Sequence, residues 1–374
     1  MKILWLAWKD MAHPKRGGAE VVLRELTGRQ VTDGHQVTLL TAGYDGAATQ
    51  EILPNGVEVI RVGNNRYTHS IQALVYYLRH LRGKFDLIIE TVNTAPYFSL
   101  LFRGKAKGLA LYHQLARDIW FFEAKSPVSQ LGYYIIEPLS TWLLGRAKAP
   151  LVTVSESTKQ DLARFGWDPS RTHIISQGIG TKPLTSLRQA PKFRRPTIVS
   201  FGTMRGMKRT LDQIKAFEIA KRQLPALQLK LAGDASDPYG QQVLSYAKNS
   251  PFADDITYLG RPDDRTKQEL MRKSHLITVT SIKEGWGLIV TEAASQGTPA
   301  VVYDVDGLRD SVLHQRTGLV TTPSPEALAV GIVDILSDPK LYQAIQRQGW
   351  QWSKQMTFEK SYSDFKQVIQ ESIA

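Results

Sequence analysis

Glu284-Gly285-Trp286-Gly287-Leu288-Ile289-Val290-Thr291-Glu292 is the stretch on which the reading of this chain turns. The spacing of the two acids is a weak signal alone; the flanks decide. Upstream, the apolar, β-branched run Leu276-Ile277-Thr278-Val279-Thr280 predicts a strand. Downstream, a helical pattern stops at Gly297-Thr298-Pro299. Strand, glycine-bearing loop and helix in that order aim bare backbone N–H groups and a positive helix end at one point, which suits a phosphate or pyrophosphate. Glu284 then stands before the helix and Glu292 about two turns into it. One acid reaches a sugar hydroxyl on one side of the pyrophosphate, the other a ribose hydroxyl on the far side.

The same alternation runs through the chain. Strands are predicted at 2–8, 36–41, 57–62, 86–90, 108–113 and 151–154, with helices at 19–31, 70–82, 130–147 and 156–165. A second series has strands at 197–202, 227–233, 256–259, 276–280, 299–303 and 318–321, and helices near 209–222, 264–273, 287–296 and 325–336. Two further helices are expected near 339–355 and 358–373. Such alternation predicts two doubly wound parallel sheets. The Pro-, Lys- and Arg-rich stretch 181–196 reads as a linker. At 374 residues and 42% hydrophobic, the chain has enough apolar content for two cores. Domains are therefore expected at 1–185 and 186–357, with 358–374 as a terminal helix.

With no cysteine, structural disulfides, thiolate zinc sites and cysteine nucleophiles are excluded. The apolar run within Met1–Asp10 is too short for a signal peptide, and no apolar run reaches the roughly 18 residues of a membrane span. The expectation is a cytoplasmic protein, with peripheral contact at the inner face of the membrane as its membrane reading. The net charge is +12, and residues 1–190 carry most of the excess, with 23 Lys and Arg against 15 Asp and Glu. A basic surface suits anionic lipid, nucleic acid or a phosphorylated substrate, or serves solubility alone.

Ligands of doubly wound sheets bind beyond the carboxyl ends of the strands. Several motifs fall there. Gly17-Gly18-Ala19-Glu20 follows the first strand and opens a helix, so its backbone can approach a phosphate closely; the alternative is a plain tight turn. No Gly-x-Gly-x-x-Gly stands there, which argues against a dinucleotide-dependent dehydrogenase. Gly34-His35 reads as a helix-end glycine and a packing histidine. His113 ends the fifth predicted strand, at a strand end where sites form; a structural histidine is the plainer reading. Gly202-Thr203-Met204-Arg205-Gly206-Met207-Lys208 sets two cations after a glycine turn, suited to neutralising a leaving diphosphate. Leu231-Ala232-Gly233-Asp234 reads as lining and Leu259-Gly260-Arg261 as a strand-end turn. Asp304-Val305-Asp306 is a triplet expected by chance at this composition and reads as a solvated loop, so no metal is expected. The aromatic stretch 119–144, with Arg79, Arg82, Lys84, Arg103, Lys105 and Lys107, suits either a membrane face or an ordinary buried helix.

The run Ser281–Leu288 through Glu292-Ala293-Ala294-Ser295-Gln296-Gly297-Thr298-Pro299, continued by Val301-Val302, Gly307 and Gly318-Leu319, resembles the family-4 retaining glycosyltransferases and their Glu-x7-Glu signature. The resemblance implies the α/β GT-B fold, two doubly wound Rossmann-like domains facing across a cleft, with the last helix crossing back to the first domain. It implies a nucleoside-diphosphate sugar as donor. Arg205, Lys208, Glu284, the Gly285-Trp286-Gly287-Leu288 backbone, Glu292, Gly18 and the Arg261 backbone would bind that donor. Gly17, Gly18, Glu20 and His113 would meet the acceptor. Glu284, His113, Lys208 and Arg205 would surround the reacting centre. In the family, front-face attack with proton transfer to the leaving phosphate oxygen usually accounts for retention, which needs no side-chain base. One departure stands out: Thr203 occupies the family's Arg position, and Arg205 is the nearest replacement.

The leading expectation is a retaining, metal-independent transferase that moves a hexose from a UDP- or GDP-linked donor to a hydroxyl of a glycan or lipid-linked acceptor, with no cofactor. A nucleotide-sugar epimerase of the same fold is the alternative. A nucleic-acid-binding protein is disfavoured because no recognised module is present.

Overall fold

Strands buried on both faces are written as near-continuous apolar runs. Ile3, Leu4, Trp5 and Leu6 are all fully buried, as are Ile277, Val301 and Val302. The structure, a computed structural model, describes residues 1–14, 16–65, 68–93 and 95–373.

The first sheet holds β1 (Lys2–Leu6), β2 (Gln36–Thr41), β3 (Gln50–Ile52), β4 (Glu58–Arg61), β5 (Leu87–Val92), β6 (Lys107–Tyr112), β7 (Leu151–Thr153) and β8 (Thr172–Ile174). Their order is β3-β4-β2-β1-β5-β6-β7-β8, parallel except for the antiparallel edge pair β3–β4. The second sheet holds β9 (Thr197–Phe201), β10 (Gln228–Ala232), β11 (Ile256–Tyr258), β12 (Leu276–Val279), β13 (Ala300–Tyr303) and β14 (Gly318–Thr321), in the all-parallel order β11-β10-β9-β12-β13-β14. The direction in which successive strands are added reverses between β1 and β5 in one sheet and between β9 and β12 in the other, while the strands themselves stay parallel. These are the switch points where doubly wound sheets hold their ligands.

The expected elements form, within a few residues at their ends. Two three-residue edge strands, β3 and β8, and the helix Pro238–Lys248 were not anticipated. That helix does carry a start signal: the Asp237 side chain accepts the Gly240 N–H at 2.9 Å, with Pro238 in the first turn.

Two compact units result. One comprises Met1–Trp120, Ser126–Gly178 and the segment from Thr357; the other comprises Ile179–Met356 with Phe121–Lys125. The divide precedes the 185/186 boundary expected from composition. The chain already belongs to the second unit at Ile179, whose N–H bonds Met356 O at 3.2 Å, and at Leu184, whose N–H bonds Ser295 O at 3.0 Å. Helix Phe358–Ile373 packs in the first unit. Phe365 stacks on Trp5 at 5.5 Å, and Asp364 accepts from Ser176 Oγ at 2.7 Å.

In the first unit, helix His69–Tyr76 runs on through the π-helical turn Tyr77–Leu81. Val128–Leu131, Gly132–Ile136 and Glu137–Gly145 follow one another without a break. Ala73, Tyr77 and Leu81 of the former share one core cluster with Leu144 of the latter, so both cover the same face of the sheet. That placement follows from right-handed crossovers, since β4→β5 and β6→β7 advance in the same direction across the sheet.

Candidate active site

In the second unit, the loops after β9 and β12 flank the switch point, and their side chains meet. Lys208 ends the 3₁₀ turn Gly206–Lys208 and forms an ion pair with Glu284. The same Glu284 oxygen accepts from Ser281 Oγ at 2.6 Å. Both partners are part-exposed, with side chains 26% and 16% accessible. The backbone beneath them is fixed independently: Ile282 N–H bonds Met207 O at 2.8 Å, and Thr280 Oγ1 donates to Lys208 O at 2.9 Å.

Below Glu284 the chain rests on the loop after β13. Glu284 N–H bonds Asp306 O at 3.0 Å. Gly307, at φ +79°, lies so close that an added Cβ would stand 2.1 Å from Glu284 O. Asp306 pairs with the buried Lys283 and with Arg309, while Asp304 pairs with Arg309 at 2.7 Å. Burial pushes the Asp306 carboxyl up, but Lys283 and Arg309 beside it hold it below the usual range. The solvated-loop reading thus suits Asp304, which is half exposed, but not Asp306, which braces the Glu284 loop.

Gly287, at φ +88°, caps helix Leu288–Ser295 with no side-chain bond at its start. An added Cβ would meet Leu308 at 2.8 Å, so both torsion and packing demand glycine here. The uncapped amino end leaves N–H donors for an anion. The Trp286 indole N–H, beside it, is buried without a partner among the described residues. Glu292 is paired with Lys267 at 2.5 Å. Nothing in the sequence marked Lys267, which reaches Glu292 from helix Asp264–Lys273. Ser281 and Lys283 lie in the run that carries the resemblance, but no role was expected of them.

Arg205 does not join Lys208 and Glu284. Its guanidinium lies 3.5 Å from Glu123 and is 41% exposed. Thr203 is exposed. Arg209 pairs with Asp212 at 2.7 Å and stacks over Tyr303. Arg261 is exposed at the carboxyl end of β11.

In the first unit, Gly17 caps helix Gly18–Thr32, and the carboxylate of Glu20 accepts the Gly17 N–H at 2.5 Å. Glu20 is buried and turned to its own helix start, so its expected role toward an acceptor is occupied here by capping. The loop before it is held by Asp10, which accepts from Ala12 N–H at 2.7 Å and pairs with the buried Arg61 at 2.7 Å.

His113 follows β6. Burial pushes its imidazole down to about 4, so it is neutral near pH 7, and Nε2 has no hydrogen-bond partner among the described residues. The neighbouring Gln114 Oε1 is also unpartnered. Two buried polar atoms left open are costly unless something binds them. Glu137, buried, accepts from Ala116 N–H and from Arg117 N–H at 2.8 Å and so fixes the loop that follows.

Known proteins share this organisation. Residues 16–182 match the family model described as Glycosyltransferase Family 4, and residues 186–352 match Glycosyl transferases group 1. An uncharacterised glycosyltransferase of Methanocaldococcus jannaschii is 24% identical, the match covering 90% of each chain. The N-acetyl-alpha-D-glucosaminyl L-malate synthase of Bacillus anthracis is 27% identical over 88% of this chain and 87% of its own. Among solved structures, sucrose-phosphate synthase of Thermosynechococcus elongatus superposes with a TM-score of 0.80 at 19% identity, covering 99% of this chain and 98% of that one. Anabaena HepE in complex with UDP-glucose gives 0.75 at 18%, covering 99% and 100%. With one family model on each half and full-length likeness to GT-B structures, the chain belongs to the family-4, group 1 glycosyltransferases of GT-B fold.

Proposed function

We propose that this glycosyltransferase moves a hexose from a UDP- or GDP-linked donor to a hydroxyl of a glycan or lipid-linked acceptor, with retention at the anomeric carbon and without a metal ion. The observation that carries this reading is the meeting of Lys208 and Glu284 across the switch point, beside the uncapped start of helix Leu288–Ser295.

The roles follow from charge and position. The helix start and Lys208 receive the donor diphosphate, whose charge grows as the glycosidic bond breaks. Lys208 then exchanges its carboxylate partner for phosphate, and Glu284 is released to bind the sugar hydroxyls. Arg205 adds positive charge by leaving Glu123. Glu292, oriented by Lys267, takes the ribose. The backbone at Arg261 lines the base. In the first unit, the amino end at Gly17-Gly18 and the neutral His113 meet the acceptor and the transferred sugar; a neutral imidazole accepts or donates one hydrogen bond without competing for the diphosphate. The protein meets its acceptor in peripheral contact with an anionic membrane.

A donor panel of UDP-, GDP- and ADP-sugars, read by thermal shift and by hydrolysis, tests the reading. A donor at 100 times its Kd stabilises the native state by about 2.7 kcal/mol. If none of the panel shifts melting or is hydrolysed, the donor assignment fails.

A further inference from the structure

The continuous helix from Val128 to Gly145 is built inside out for a helix that faces water. Its inner face is small or polar apart from one leucine: Ser129, Gly132, Glu137 and Thr141 are buried, with Leu144 in the core at its end. Gly132 lies against the Trp120 ring, 2.3 Å from where a Cβ would stand, and Glu137 is engaged with the backbone of Ala116 and Arg117. Its outer face is large and apolar. Leu131, Tyr134, Ile135, Leu139, Trp142 and Leu143 are exposed, Tyr134 at 67% and Leu139 at 56%. With Val128 and Ile136 the helix carries eight of the twenty large apolar side chains exposed among the described residues, a concentration that marks a docking surface rather than scattered exposure. A second exposed stripe, Ile71, Val75 and Leu78, lies in the same helical layer.

Charge indicates the partner. The layer's segments 69–85, 99–107 and 126–148 contain one acidic residue, Glu137, and it is buried. Arg79, Arg82, Lys84, Lys105, Lys107 and Arg146 are exposed there. The helices' carboxyl ends are tied together, as Arg82 Nε donates to Phe102 O at 3.0 Å and Arg103 donates to Ala147 O at 2.9 Å. The cations therefore collect at one end of the layer. Arg146 sits 5.1 Å from the Trp142 ring, an aromatic–cation pair suited to a headgroup boundary. A second copy packed parallel on this face would set cation against cation, and packed antiparallel it would offer those cations no exposed acid from these segments.

We propose that this helix lies in the plane of an anionic membrane leaflet, with its apolar face at the headgroup–acyl boundary and the basic helix ends among lipid phosphates. The inference rests on the peripheral contact proposed above and names the surface that makes it.

The full chain should float with phosphatidylcholine vesicles containing about 30% phosphatidylglycerol at low salt, and less well as salt rises. Ile135→Asp/Leu139→Asp should cut the vesicle-bound fraction by about tenfold or more, because binding scales with buried apolar area. The milder Leu131→Ser/Leu139→Ser variant reads the same surface if the charged pair misfolds. Brominated acyl chains should quench the wild type more than Trp142→Phe. Absent flotation, undiminished binding of a folded face variant, or a dimer that the face variants dissolve would each overturn the proposal. Donor-induced thermal shift in the same variants should be unchanged, so loss of the membrane site and failure of the transferase reading register separately.

Discussion

Replacing Lys208 by Ala separates catalysis from stability, because the structure assigns its side chain and its backbone to different tasks. The backbone is held by Thr280 Oγ1 on Lys208 O, by Lys208 N–H on Arg205 O at 2.8 Å, and by Ile282 N–H on Met207 O. None of these involves the ammonium. The side chain makes a part-exposed ion pair with Glu284, and such pairs contribute about 0–1 kcal/mol. Melting should therefore fall by no more than about 4 °C. If Lys208 bears on the diphosphate, losing one preorganised charge costs about 2–4 kcal/mol in the transition state. That is roughly a 30- to 1,000-fold drop in kcat/KM. The assay is transfer or donor hydrolysis with the donor that the panel selects. A cycle with Glu284→Gln separates direct action from mere positioning of Glu284. Lys208→Ala made in the Glu284→Gln background should cost a further tenfold or so. A loss under threefold in the single variant, or no further loss in the double, would refute a direct role for Lys208.

Gly307→Ala should lower stability by about 1–3 kcal/mol and reduce transfer, since its Cβ would drive into the Glu284 carbonyl at a left-handed φ; a variant of unchanged melting and turnover would show that this contact does not hold the loop. His113 is held below its ordinary 6.5, so below that pH the unfolded chain binds a proton the native state does not, and stability falls as pH drops from 6.5 toward about 4. His113→Gln should make that slope shallower in urea titrations, with the rest carried by other histidines that burial also holds down, such as His275. Lys192 is half-buried, and its ammonium lies among four acceptors, Arg272 O at 3.1 Å, Ser274 O at 2.8 Å, Gly297 O at 2.7 Å and Thr298 Oγ1 at 2.9 Å, so Lys192→Met should cost about 2–4 kcal/mol by leaving these second-unit acceptors without their donor. Transfer should survive EDTA; loss restored by Mn²⁺ or Mg²⁺ would refute the metal-independent reading.

What the sequence determined by itself was the sequence of elements and the outline of the second-unit site. Short continuous apolar runs separated by helical patterns are local signals, so β1, β9 and β12 were legible, as was the glycine loop bearing Glu284. The edge strands β3 and β8 were not, because three residues carry too little pattern and their pairing comes from neighbours distant in sequence. Partnerships across the switch point were equally hidden. Lys208 and Glu284 are brought together by strand order, Lys267 reaches Glu292 from another helix, and Arg205 turns to Glu123 rather than to the loop at 284. The same holds for Asp306, which looked like a solvated acid until Lys283 and Glu284 were placed against it. Helix 128–145 shows the reason most plainly. Its apolar residues are evident in the sequence, but whether they face a core or the outside depends on which side meets the sheet. Only the tertiary structure, with Trp120 against Gly132 and Glu137 under the loop after His113, decided that the small and polar face went in.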